Sequence, residues 1–368
     1  MLTIVNCASL ILMEEIKIID PCSDPRWDKF VENHPFGWIV HLSGWKKVIE
    51  QTFPHIKGHH LALIDTETNE IKAGLPIYEI RSWLTGNRLV SIPFATNSDI
   101  LISNSKQSSL LINEAIRLLK QLKYSHLEIR TLNSSPMVNH KQLIENHDYK
   151  HHYLDLSAGK EAIWNHFNYK SIRYEINKAN KNKIKLKVAE TENDLHTFYI
   201  LYAMARKRLG LPSQPYLFFK TLYNTFAESN NITILLALFE DKAIAGHFLF
   251  KYNGMISVEA TGINDDFRKI SPNQFLFWEG IKLACSEGYK IFDFGRTSIH
   301  NTTLMNFKRR WGTTEADVYT FYSDFGKNRI GTASREISLS YRLMRYMCNK
   351  SPGSIQPMLS RFCYRHLG

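Results

Sequence analysis

Short apolar runs alternate with amphipathic stretches along the whole chain. Glu14 to Asp20 alternates with period two, as a half-buried strand does, and Asp24-Pro25 offers a helix start ahead of Trp27, Phe30 and Val31. A second helix is expected over Ser43 to Thr52. The runs His60 to Asp65 and Ile71 to Ile80 are apolar and separated by polar turn residues, which predicts an antiparallel hairpin. Arg88 to Pro93 reads as a strand and His126 to Arg130 as another. Between them Gln107 to Leu122 places Leu110, Leu111, Ala115, Leu118 and Leu122 on one helix face. This first half is strand-rich α/β and ends near Leu156.

The second half repeats the scheme with longer helices. Lys160 to Asn182 is expected to be helical and basic, Ile184 to Glu190 a strand, and Asp194 to Leu209 and Pro215 to Glu228 helices parted by Gly210 and Pro212. Strands Thr233 to Glu240, Ala243 to Tyr252 and Met255 to Gly262 follow, the last two joined by Asn253-Gly254, the strongest short hairpin signal in the chain. Pro272 to Glu287 is then a helix, Lys290 to Phe294 a strand, Leu304 to Arg310 a helical turn and Ala316 to Tyr322 a strand. Antiparallel strands, a crossing helix and a further strand make a mixed α/β core.

A chain of 368 residues exceeds the size at which one core usually keeps growing, so two domains are expected. Five cysteines without a C-x-x-C pair or histidines at zinc-ligand spacing fit a reduced cytosolic interior and no metal. Met1 to Leu12 is apolar but lacks a basic n-region and is too short to span a bilayer. With Met13-Glu14-Glu15 as an alternative start, residues 1–13 read as a start-site extension.

The net charge of +11 is unevenly placed. Lys170 to Lys187 carries +6 and Lys327 to Gly368 carries +7, leaving the rest slightly acidic. These patches suit an anionic partner, or they are solvated helix faces. Ser334 to Lys350 spaces Ile337, Tyr341, Met344 and Cys348 at helical intervals among Arg335, Arg342, Arg345 and Lys350. Such a basic amphipathic helix either packs on its own domain or contacts an anionic membrane from the cytoplasmic side. Nucleic-acid binding ranks last, because aromatic residues are not interleaved with the first basic run as a stacking platform needs.

Absent motifs narrow the chemistry. There is no phosphate loop, dinucleotide-binding turn, H-E-x-x-H helix or G-x-S-x-G elbow. The pairs His59-His60 and His151-His152 occupy opposite strand faces and are expected to be surface or boundary residues. The most informative stretch is Lys290 to Gly312, KIFDFGRTSIHNTTLMNFKRRWG. Here a strand delivers Asp293, breaks at Gly295 and leaves Arg296 at its end, where an anionic ligand can meet it. Phe307, Lys308 and Trp311 follow on a helical turn, and the Lys308 ammonium beside apolar walls can stabilise an oxyanion. The alternative is a structural Asp293–Arg296 ion pair, with Lys308 snorkelling past Trp311.

This stretch resembles the FemAB-like branch of the GNAT superfamily, in which a D-F-G-R strand end precedes an F-K-x-x-W-G helix. Trp164 to Ala179, WNHFNYKSIRYEINKA, is similar to the family's aromatic helix leading into K-x-R-x-x-I-x-K-A, and Ser271-Pro272-Asn273 with Trp278 is similar to its P-N-x-x-x-x-W helix start. Trp27, Phe30, His34-Pro35, His41, Trp45 and Ser91-Ile92-Pro93-Phe94 resemble members found beside exopolysaccharide and exosortase genes. Together these cover roughly residues 26 to 325.

The resemblance implies two tandem GNAT-like domains, each a mixed, largely antiparallel sheet flanked by helices, over residues 14–156 and 157–325, with a basic amphipathic tail at 326–368. It implies transfer of an acyl or aminoacyl group onto an amine of a cell-envelope glycan or peptidoglycan-type precursor, free or lipid-linked, with acyl-CoA or aminoacyl-tRNA as donor and no bound cofactor. Lys308 then becomes the first catalytic residue and Phe307 its wall, while the general base stays open between Asp293, Glu259, a water and the substrate itself. Arg173 and Lys178 match basic family positions and go to an anionic acceptor. Asn273 opens a helix whose free N–H groups suit a phosphate or donor carbonyl, unless Ser271 simply caps that helix. Two departures stand out. Phe94-Ala95-Thr96-Asn97-Ser98-Asp99 replaces a Tyr-Gly-Gly-like turn, and Leu186 to Leu209 is too short for the coiled-coil arm of bridge-forming members. A noncatalytic scaffold for lipid-linked glycan is the rival from another class.

Overall fold

The first strand, β1 (Glu14–Ile19), lies antiparallel to β2 (Ile56–Asp65), which pairs with β3 (Ile71–Ile80) as the apolar runs predict. Of the computed structural model, residues 14–96, 98–124, 126–132, 140–324, 339–351 and 355–366 are described. The expected start-site extension at 1–13 lies outside them, as does 325–338.

α1 (Arg26–Asn33) and α2 (Ser43–Thr52) fill the β1–β2 connection. Asp28 ties them together, its Oδ1 accepting from the Ser43 backbone N–H at 2.7 Å. β4 (Arg88–Val90) continues the sheet, and α3 (Ser105–Gln121) crosses one face before β5 (His126–Thr131) pairs parallel to β4.

The next strand, β6 (Ile144–Asp155), has no counterpart in the sequence reading. Its residues IENHDYKHHYLD are mostly polar, and a central position in the sheet buries several of them. The expected basic helix over Lys160 to Asn182 is broken in two. α4 (Gly159–His166) ends where Phe167 turns extended, and a π-helical turn at Tyr169–Arg173 leads into α5 (Tyr174–Lys181). A short edge strand β7 (Lys185–Val188), α6 (Glu192–Arg208) and α7 (Tyr216–Phe226) follow. The meander β8 (Ile232–Phe239), β9 (Lys242–Tyr252) and β10 (Met255–Ile263) turns on Asn253-Gly254, both at positive φ. α8 (Pro272–Ser286), β11 (Ile291–Ser298), α9 (Thr302–Arg309) and β12 (Thr314–Asp324) complete the core. The tail forms α10 (Leu339–Lys350) and an unanticipated α11 (Gln356–Tyr364).

Among the described residues twelve strands form one sheet in the order β1-β2-β3-β4-β5-β12-β6-β11-β10-β9-β8-β7. β12 pairs with β5 on one side and β6 on the other, and β6 in turn pairs with β11. Strands from the two halves of the sequence are thus interleaved at the centre. Alternate residues feed opposite faces, as the two-residue strand period requires. Leu61, Leu63, Leu75 and Ile77 pack under α3, while Ala62, Ile64, Tyr78 and Ile80 join Trp27, Trp45, Phe198, Phe219 and Phe248 in a cluster that spans both halves.

The tail is seated on this body. Arg345 Nη2 and Asn349 Nδ2 donate to the carbonyls of Leu209 and Arg208 at the end of α6, and Cys348 is buried. Among the described residues no helix is long and apolar enough to cross a membrane.

Candidate active site

β10 and β11 run parallel only through the pairs Met255–Ile291, Ile256–Phe292 and Ser257–Asp293. Beyond them the register is broken on both sides. Against β9 the ladder shifts between Val258 and Ala260, so Glu259 is the extra, bulged residue. Against β6 it shifts between Asp293 and Arg296, where Gly295 adopts a φ of +73°, a conformation that costs a residue with a Cβ. The expected strand break at Gly295 is therefore a bulge, and β11 continues to Ser298. Arg296 lies within the strand rather than at its end, its guanidinium 4.8 Å from the centre of the Tyr149 ring.

Asp293 is fully buried at the last pair of the β10–β11 ladder, where the two strands part. Its Oδ1 accepts from the Gly295 backbone N–H at 2.5 Å and from His151 Nε2 at 2.8 Å. Burial alone would raise the carboxyl pKa, but the His151 charge and hydrogen bond outweigh it and hold Asp293 below its usual range. Burial likewise works to lower His151, and the facing carboxylate reverses the sign and raises it. The two form a buried ion pair. The structure thus pairs Asp293 with His151.

Lys308 projects from α9 toward the same bulge and is 5% exposed. Its Nζ donates to the carbonyls of Gly295 at 2.8 Å and Arg296 at 3.1 Å. Burial pulls its pKa down to about 8, against the opposing pull of Asp293. Two of the three ammonium donors hold the bulge. The apolar wall expected around Lys308 is present beside it. Phe307 packs at 5.6 Å from Phe277 and 6.4 Å from Trp311, and Phe277 stacks on Phe294 at 4.8 Å.

Glu259 faces this group across the opening. Its carboxyl is pushed up to about 7 by burial and by Asp293, against a 2.7 Å hydrogen bond from Ser257 Oγ and the charges of Arg296 and His151. From the first half comes Asp99, whose Oδ1 accepts from the Leu132 backbone N–H at 2.8 Å and whose field also acts on His151. Asp99 ends the Phe94–Asp99 segment that departs from the family turn. His41 Nε2 lies 2.9 Å from the Asp99 carbonyl, which ties that segment to α2's approach.

Asn273 sits in the first turn of α8, with Oδ1 2.9 Å from Nε2 of the fully buried His247. Burial lowers His247 to about 4, against that hydrogen bond, so the imidazole is neutral at pH 7. Ser271 precedes the helix in the left-handed region and makes no side-chain cap; its hydroxyl bonds Glu175 instead. Arg173 and Lys178 find partners along α4, the π-helical turn and α5. The Arg173 guanidinium covers the rings of Trp164 and Tyr169 at 5.2 and 5.6 Å, and Lys178 pairs with Glu175 at 3.7 Å.

Lys308, Asp293, Arg296 and Phe307 are therefore brought together, while Arg173 and Lys178 form a separate basic-aromatic group. His151 and Asp99 were not legible as site residues. The surface placement expected for the paired histidines is overturned, since His60, His151 and His152 are all buried and His59 pairs with Glu79 at 2.6 Å. Among the described residues no three His, Cys, Asp or Glu side chains are grouped to hold a metal ion.

Residues 167–309 match the family model described as Acetyltransferase (GNAT) domain. This segment is a GNAT domain. It includes β10, β11, α8 and the Lys308 helix, and leaves out β6, so His151 reaches the GNAT domain from a strand that precedes it. No curated protein matches the chain by sequence. Its fold is that of FemX, with a TM-score of 0.67 at 14% identity, covering 90% of this chain and 100% of that one. L-PGS from Bacillus licheniformis aligns at 0.55 with 12% identity, covering 91% and 99% of the two chains. A tandem GNAT protein from the clavulanic acid biosynthesis pathway aligns at 0.54 with 8% identity, over 86% and 99%. The GNAT domain is thus one part of a longer α/β architecture shared along nearly the full length of these proteins.

Proposed function

We propose that this protein transfers an acyl or aminoacyl group from an activated donor, acyl-CoA or aminoacyl-tRNA, to an amino group of a cell-envelope glycan or peptidoglycan-type precursor. The observation that carries the reading is the parting of β10 and β11 after Ser257 and Asp293, with Glu259 on one edge and the Lys308-held bulge on the other.

In this reading the donor carbonyl lies in the opening and the acceptor amine approaches from the side of Asp99 and Arg296. The nitrogen attacks the carbonyl carbon, the C=O electrons move to oxygen, and the ammonium of Lys308 stabilises that oxyanion together with the first-turn N–H groups of α8. The amine proton passes to Glu259, whose carboxyl near pH 7 is matched to accept it, and the carbonyl re-forms as the sulfur or ribose oxygen leaves, taking that proton back from Glu259. The His151–Asp293 pair fixes the bulge and sets the field around Lys308. Holding donor and acceptor in line supplies much of the rate. Arg173 and Lys178 suit a phosphate of the acceptor, along the Trp164 and Tyr169 rings.

The test is to incubate purified protein with radiolabelled acyl-CoA and aminoacyl-tRNA donors and a panel of free and lipid-linked glycan acceptors. Transfer that is lost in Lys308→Ala supports the reading and names the donor. Acceptor binding without transfer from any donor supports instead a noncatalytic scaffold for lipid-linked glycan.

A further inference from the structure

α11 has two unlike faces. Gln356, Ser360, Cys363 and Tyr364 are buried, with the Tyr364 ring stacked on Phe53 at 6.0 Å and against Phe94 at 5.5 Å. The other face, at positions 358, 361, 362 and 365, carries Met358, Arg361, Phe362 and Arg365, all exposed. Met358 is 70% exposed and Phe362 48%. A helix that packs through only one face buries its apolar residues there, so Met and Phe on the outer face have another use.

The connection between β3 and β4 completes the surface. It holds Trp83, 74% exposed, and Leu84, 56% exposed, the former being the most exposed large hydrophobic residue among those described. His366 joins the two segments. Its ring lies 5.1 Å from Phe362 and 5.1 Å from Trp83, its Nδ1 is 2.8 Å from Ser82 Oγ, and its carbonyl accepts from Arg88 Nη2 at 3.2 Å. Trp83, Leu84, Phe362 and Met358 are thereby fixed as one apolar patch, built from residues nearly three hundred positions apart in the sequence.

The two segments that carry the patch are basic. Beyond Glu336 the chain contains no acidic residue, and neither does Arg81 to Arg88. Glu79, which precedes that connection, is buried and committed to His59, Arg81 and Tyr124. A second copy of the chain would oppose arginines to arginines, whereas an anionic bilayer accepts both the aromatic side chains at its headgroup level and the guanidinium groups above it.

We infer that the Trp83–Leu84 connection and the outer face of α11 together dock this protein on an anionic lipid bilayer. The docking surface is thus on α11 and the β3–β4 connection, while α10 is seated on the end of α6 through Arg345 and Asn349. This deepens the lipid-linked-acceptor reading by locating the lipid surface.

The full chain is sedimented with vesicles of pure phosphatidylcholine and with vesicles of phosphatidylcholine and phosphatidylglycerol in equal parts. Binding is expected only to the anionic vesicles, weakening as salt is raised. Replacing both Arg361→Glu and Arg365→Glu is expected to weaken it about fivefold or more per arginine. Trp83→Ser with Phe362→Ser is expected to reduce it at least about tenfold with an unchanged melting temperature. Should a variant melt early, the unmodified chain gives a second readout, in which vesicles with brominated acyl chains quench tryptophan fluorescence and Trp83→Phe removes that quenching. Absence of binding to both vesicle types, binding indifferent to these substitutions, or self-association abolished by them without vesicle binding would each overturn the inference. The vesicles contain no glycan and no donor, so such a failure leaves the acyl-transfer reading standing, and loss of transfer with intact vesicle binding fails that reading alone.

Discussion

His151 Nε2 and Asp293 Oδ1 meet at 2.8 Å inside the sheet, although one belongs to a strand of the first half of the sequence and the other to the D-F-G-R segment of the second. The pair fixes the field in which Lys308 lies. Replacing Asp293→Asn removes the charge that raises His151 while leaving its burial, so the His151 pKa should fall below the ordinary histidine value. Imidazole titration by NMR reads this directly. Breaking a buried pair from one side should also cost about 3 kcal/mol of unfolding free energy in denaturant titrations.

Lys308→Ala should lower turnover by about 10²-fold to 10³-fold, the effect of losing an oxyanion donor. Lys308→Arg should not restore it, because a planar guanidinium cannot place a point charge between the Gly295 and Arg296 carbonyls. Steady-state kinetics with the donor identified by the transfer assay checks both. Near-normal turnover in Lys308→Ala defeats the assignment.

The pH profile of turnover should be bell-shaped and narrow. Glu259 accepts a proton only when ionised, so the rate should rise as pH passes about 7. Lys308 supports the oxyanion only when protonated, so the rate should fall as pH passes about 8. Glu259→Gln should abolish the acid limb and lower the plateau. A profile whose acid limb is unchanged in Glu259→Gln assigns that proton elsewhere.

Acid should destabilise the fold before carboxylates of ordinary pKa titrate. His41, His152 and His247 are each held down to about 4, chiefly by burial, and an unfolded chain would bind protons at these positions with an ordinary pKa near 6.5. Their folded pKa is depressed, so the stability they contribute is full above about pH 6.5 and drains away as pH falls toward 4. Melting temperature measured from pH 7.5 to 4.5 should decline over that window, and His247→Asn should flatten the decline.

What the sequence made legible follows how each element is stabilised. Strands that alternate apolar and polar residues or turn on Asn253-Gly254 carry their signal locally, and β2, β3, β8, β9 and β10 lie within a few residues of their expected positions. Tyr149, His151 and His152 are buried on β6 because β11 and β12 cover its two edges, and nothing in IENHDYKHHYLD announces those neighbours. The same holds at the candidate site. The D-F-G-R and F-K motifs pointed to Asp293 and Lys308, but the partner of Asp293 lay on the strand that local pattern could not reveal. Gly295 does interrupt the strand, and its φ of +73° makes it a bulge rather than an end because β6 continues alongside.

Interleaving also sets a timetable for the nascent chain. β5 leaves the ribosome long before β12, its lateral partner, has been synthesised. At ordinary rates of translation that delay is about ten to forty seconds, during which one edge of the first-half sheet stands open. Handling of that open edge during synthesis, by a chaperone or by temporary pairing within the chain, should therefore govern yield more than the stability of the finished molecule does.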